Sequence, residues 1–95
     1  MNLDLLREEL KTDEGVKYEV YLDHLGLPTC GIGHLIKDTD PEQGLKVGTA
    51  ISEERVNELF DEDIQVTLQE CRYLYEDFDD LPEEAQRIIA NMMFN

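Results

Sequence analysis

One stretch constrains the fold of this chain more than any other: Asp13 to His34, DEGVKYEVYLDHLGLPTCGIGH. It carries four of the six glycines, and apolar residues follow a helical period on both sides of it. Glycine stops helices and, within strands, marks turns or sites of close backbone approach. The stretch therefore reads as short strands and turns set between helices, not as part of a bundle. Val16, Tyr18 and Val20 alternate as one face of a first strand, HLGLP supplies turn chemistry, and TCGIGHLI reads as a further strand. Gly31 and Gly33 fall where side chains would obstruct a neighbour. A small antiparallel sheet, two- or three-stranded, is expected over about residues 16 to 37.

Before the sheet, Leu3, Leu6 and Leu10 recur at i, i+3 and i+7, one face of a helix that Gly15 ends. Glu14 falls near Leu3 and Leu10 on that wheel, so a carboxylate closes the apolar stripe. After the sheet, KDTDPEQGLKVGTA has Pro, Gly and no period, and reads as a loop. Ser52 is a good N-cap, with Glu53 and Glu54 in the first turn. Val56, Leu59, Phe60, Ile64, Leu68, Cys71, Leu74 and Tyr75 then keep helical spacing, predicting a long helix from about 52 to 76. Asp63 lies on that stripe and needs a partner. Pro82 starts a last helix, whose end, IANMMFN, is apolar nearly all round, as in a helix enclosed by others.

A chain of 95 residues allows one modest core. The expected fold is α+β: one domain over residues 1–95, with a first lobe over about 13–50 and the start of a helical lobe over about 51–95. A net charge of −15 leaves no Lys/Arg cluster to replace phosphate counterions, which excludes nucleic acid and disfavours anionic membranes. The N-terminal MNLDLLREEL mixes charges into a short apolar pattern, so it is neither signal peptide nor membrane span. Cys30 and Cys71 lack metal or CxxC spacing and are expected as reduced packing residues. In DTDPEQG, Asp38, Asp40 and Glu42 alternate, but Gln43 and Thr49 stand where an EF-hand needs Gly and Glu. A solvated acidic loop is expected there. Tyr73, Tyr75 and Phe78 are expected to pack at the core and helix end.

The chemistry falls in the first third of the chain. Glu14 at a helix end and Asp23 at a turn can face each other, the minimal equipment for glycoside hydrolysis. Burial should raise the pKa of Glu14, while Asp23, in a polar turn beside His24, should stay ionised. The spacing of two carboxylates among 23 acidic residues carries little weight without context.

Context comes from the composite motif. Glu14-Gly15, then Tyr21-x-Asp23, then G-x-x-T-x-G-I-G-H ending at His34, resembles the phage-type (T4-like) lysozymes of glycoside hydrolase family 24. ISEERVNELFDEDI looks like that family's first long helix, and RIIANMMFN like its buried central helix. The resemblance implies a lysozyme-like fold and hydrolysis of the β-1,4 bond between N-acetylmuramic acid and N-acetylglucosamine in peptidoglycan, with inversion. It implies Glu14 as general acid, Asp23 as second carboxylate and Thr29 as a residue that helps hold the attacking water. It makes His34 a structural partner of Asp63 and Asn91 a cleft-wall, substrate-binding residue. No cofactor or metal is implied.

The family's domain continues beyond the point matching Asn95, in helices that form the far cleft wall and supply the Arg that pairs with the catalytic Glu. Ile88, Ile89, Met92, Met93 and Phe94 point in most directions around the last helix and would expose an apolar patch. Self-association or a virion partner covering residues 88–94 is expected. The family is usually basic, and this acidic chain should be repelled by anionic cell wall unless salt screens it. The expected setting is host cytoplasm before lysis, or the virion, with action on the cell wall in the periplasm. The alternative to an active muramidase is an inactive or partner-dependent lysozyme-like structural module of a virion.

Overall fold

The structure, a computed structural model, describes residues 1–94. Helix α1 (Leu3–Glu14) is capped by Asn2, whose side chain accepts from the Leu5 N–H. It ends at Gly15, whose φ of 74° lies in the region that disfavours side chains, and whose N–H closes the last turn on Lys11. Leu6 and Leu10 bury the predicted face. Strands β1 (Lys17–Leu22), β2 (Pro28–Gly31) and β3 (His34–Leu35) follow as an antiparallel sheet in the order 1-2-3. The α+β, lysozyme-like class read from the sequence is the one observed, with the sheet where the glycines put it.

The sheet is thin, and its central strand carries its attachment. Thr29 and Cys30 of β2 are buried, and Gly31 faces Val56 so closely that a Cβ would lie 3.2 Å from the valine Cγ1. β1 departs from expectation. Of its alternating residues only Val20 is buried, while Val16 and Tyr18 are exposed. The register with β2 shifts between Lys17 and Tyr21, and such an irregularity turns the strand's first half away from the core. The outer edge of β1 does not stay bare. Val20 and Tyr18 exchange backbone bonds with Gly48, Thr49 and Ile51, so the end of the long loop is laid along it.

Helix α2 (Glu53–Leu74) starts at Ser52, whose side chain accepts from the Arg55 N–H. Its apolar stripe is buried from Val56 through Cys71, but Leu74 and Tyr75 are exposed where the helix ends. A 3₁₀ turn (Phe78–Asp80) inserts Phe78 fully into the core, and the buried Gln86 amide holds the turn by donating to the Asp79 and Leu81 carbonyls. Of the three aromatics expected to pack, Phe78 does so, but Tyr73 projects into solvent with 87% of its surface exposed. Position 73 follows the buried Cys71 by two, which turns it roughly 200° around the helix.

Helix α3 (Glu83–Phe94) lies against both other helices. Phe94 meets Phe60 of α2 edge to face, with centroids 5.9 Å apart. Toward α1, Arg87 binds Glu9 at 2.8 Å, and the Asn2 N–H donates to Glu83. Ala90 is buried, Ile89, Met93 and Phe94 are partly so, and Ile88 and Met92 are exposed. The helix is thus enclosed on one side only. Cys30 and Cys71 are free and buried, as expected. Among the described residues no helix is long and apolar enough to cross a membrane.

The loop after β3 corrects the sequence reading. Asp38 is exposed, but Asp40 and Glu42 are not solvated: both carboxylates are buried to within 8% of full. Glu42 accepts from Arg55 Nε and Nη2 at 2.9 and 3.1 Å, a bidentate pair that clips the loop to the first turns of α2. Replacing Glu42 by Gln keeps the shape but leaves the Arg55 charge poorly compensated. It should cost about 1–3 kcal/mol, measured by urea unfolding. A variant as stable as the parent would mean that the loop is held by something else.

Candidate active site

The end of α1 delivers Glu14 to the start of the sheet, and the β1–β2 turn delivers Asp23. Both line one cleft of about 360 Å³ with Tyr21, Thr29, Gly33 and Phe94. Residues from the first helix, the sheet and the last helix thus converge there. The three residues assigned to catalysis from the sequence, Glu14, Asp23 and Thr29, are brought together.

Their environments differ. Glu14 Oε1 is buried without a hydrogen-bond partner among the described residues. Burial, assisted by the neighbouring Asp13 charge, raises its pKa above the ordinary carboxyl value, so protonation of this group is favoured. Asp23 closes its own turn. Its Oδ1 accepts from the Leu27 and Leu25 N–H groups at 2.9 and 2.8 Å, while its backbone N–H donates to the Leu27 carbonyl. These bonds, led by the one from Leu27, hold its pKa below the usual range, and His24 adds to the effect. Thr29 is buried, and its hydroxyl donates to the Leu27 carbonyl at 2.9 Å, which leaves the oxygen lone pairs directed elsewhere.

Asn91 is not among the residues lining this cleft. Its side-chain amide donates to Asp13 at 2.7 Å, joining α3 to the residue next to Glu14. Tyr21 went unassigned from the sequence, and the cleft includes it. Its pKa is raised, by burial first and then by the Glu14 charge, so the phenol stays neutral. The Tyr-x-Asp spacing was the available signal, because alternate residues of a strand share a face.

The pair inferred from the odd carboxylate on the α2 stripe is present. His34 is buried, and its Nδ1 lies 2.7 Å from Asp63. The sequence reading missed the second partner. Nε2 lies equally close to Asp40, which also accepts from the Lys37 N–H. Burial alone would lower the histidine pKa, but the two carboxylate bonds and charges outweigh it and the net shift is upward. Asp40 is shifted down: burial opposes this, and the bonds from Lys37 and His34 prevail.

Matches to known proteins show the family. The family model described as phage lysozyme matches residues 11–95. The chain belongs to the phage lysozyme family. It is 31% identical to "Probable T4-type lysozyme 2" of Dictyostelium discoideum, in a match covering 94% of this chain and 64% of that protein. It is 32% identical over 71 residues to the pre-baseplate central spike protein Gp5 of Enterobacteria phage T4, covering 75% of this chain and 12% of that protein. The chain therefore spans less than two thirds of the length of either relative. At the level of the family this is a lysozyme-like protein.

The buried imidazole sets a pH test. A raised histidine pKa stabilises fully below its unfolded value near 6.5, and the contribution is lost as pH rises through the folded pKa. The lowered Asp40 pKa contributes above its unfolded value and is lost as pH falls through the folded one. The network is therefore strongest between those limits. Asp63→Asn and Asp40→Asn should each cost about 1–3 kcal/mol near pH 5.5 and clearly less near pH 9, read from denaturant unfolding at each pH. An equal deficit at both pH values would contradict a charged imidazole held between two carboxylates.

Proposed function

We propose that the chain is a muramidase that hydrolyses the β-1,4 bond between N-acetylmuramic acid and N-acetylglucosamine of bacterial peptidoglycan, with inversion. The observation that supports this best is the contrast within one cleft: Glu14 desolvated and inclined to hold a proton, Asp23 held ionised by backbone N–H groups. Glu14 gives its proton to the leaving oxygen as the glycosidic bond breaks. Asp23 takes a proton from the water that attacks the anomeric carbon, and Thr29 helps hold that water. Inversion needs carboxyls roughly 6.5–9.5 Å apart, enough for the water between them. Asn91 acts on the cleft indirectly, through its bond to Asp13, the residue next to Glu14. His34 and Asp63 are structural. The mechanism asks for no cofactor.

The likeness to a phage central spike protein favours a second reading, a lysozyme-like virion module with little turnover. In either reading the protein acts at the cell wall, delivered from the host cytoplasm at lysis or carried on the virion. The exposed Ile88 and Met92 are then a surface for a further segment, a second copy or a virion partner.

Turbidity of purified peptidoglycan separates the readings. The parent should lyse it, and Glu14→Gln should lose about 10²-fold or more while remaining folded. Activity should fall with rising pH as Glu14 passes its raised pKa, and with falling pH as Asp23 passes its lowered one. The active window is therefore wider on both sides than two ordinary carboxyls would allow. A Glu14→Gln variant within tenfold of an active parent removes Glu14 as the acid. A folded parent without turnover leaves the virion module.

A further inference from the structure

Gly33 stands between β2 and β3 among the residues lining the cleft, with φ of 65°. A Cβ built on it would lie 2.9 Å from Glu14 Oε2 and 3.4 Å from Glu14 Cδ, and these are its closest neighbours. The obstructed group is thus the functional end of a side chain, not backbone. The other carboxyl oxygen is enclosed. Glu14 is the last residue of α1, Gly15 closes the helix immediately behind it, and Oε1 has no hydrogen-bond partner among the described residues.

We infer that Gly33 is a positioning residue for the acid: the space left by its missing side chain is the seat in which the Glu14 carboxyl is held in the cleft. An alanine there leaves the backbone path open in principle but takes the seat. The carboxyl must then rotate toward solvent, away from the place where it meets a leaving oxygen. Two consequences follow for the acid: it is misplaced by a fraction of an ångström or more, and it is better hydrated. The first lowers turnover more than binding, because the rest of the cleft is untouched. The second weakens its hold on the proton. This inference rests on the assignment of Glu14 as the acid for its kinetic consequence only; the seating itself is a property of the folded protein.

The test compares Gly33→Ala with Gly44→Ala. Gly44 has a similar positive φ of 88°, but a Cβ there meets nothing within 4 Å, so the second variant reproduces the backbone strain without touching the cleft. The Glu14 carboxyl is followed by carbon-detected NMR titration in parent and variants, alongside kcat and KM on soluble peptidoglycan fragments. Gly33→Ala should lower the Glu14 pKa by about half a unit or more and kcat by about 10²-fold, with KM changed less. Gly44→Ala should leave both near the parent. If Gly33→Ala does not fold, Gly33→Asn carries the same Cβ on a residue that accepts positive φ more readily, and is read the same way. An unchanged Glu14 titration in the folded Gly33 variant overturns the inference. A parent without turnover refutes the muramidase reading, and the titration still decides the seating.

Discussion

The buried His34, clasped between Asp40 and Asp63 at 2.7 Å on each side, is the contact on which the rest of the structure depends. A sheet of three short strands does not hold itself together in water; it needs a packing partner. Here the partner is α2, reached through Cys30, through Gly31 against Val56, and through the imidazole. One ring joins β3 both to the loop that follows it and to the middle of α2, 29 residues further on. The Glu42–Arg55 pair repeats the arrangement one step further along the loop. In a chain with a net charge of −15, these are carboxylates that the fold has turned from repulsion to attachment.

The cleft inherits its order from that docking. Asp23 and Thr29 belong to the β1–β2 hairpin, and Gly33 to the β2–β3 turn, so their positions follow the sheet. Glu14 belongs to α1, which is held to the other helices by Arg7 with Asp61, Arg87 with Glu9 and Asn91 with Asp13. The two carboxylates are thus anchored to different parts of the molecule and meet in the cleft between them. Their contrast also has separate sources. A helix end beside the core desolvates Glu14, while a tight turn supplies N–H groups to Asp23. Neither effect requires the other.

Much of this was legible in the sequence because it rests on local chemistry. Gly15 ending α1, Ser52 capping α2 and the turn at Asp23 are decided by residues within a few positions of one another. His34 and Asp63 could be paired from a distance because each was anomalous alone, a carboxylate on an apolar stripe and a lone histidine. Asp40 and Glu42 were not anomalous. A loop carboxylate looks solvated unless the path of the loop across α2 is known, and that path is tertiary. The same holds for Val16 and Tyr18, whose alternation fits a strand but whose burial depends on a register shift against β2. Tyr73 was grouped with Phe78 by composition, although its place on the helix turns it outward. Gly33 was legible as a site of close approach; what approaches it was not.

The most direct measurement of the central claim is the titration of the two cleft carboxyls in the parent protein by carbon-detected NMR. The account predicts Glu14 above its ordinary value of 4.5 and Asp23 below its ordinary value of 3.8, so that of the two carboxyls Glu14 keeps its proton to the higher pH. The reverse order, or two values indistinguishable from free carboxyls, would contradict it.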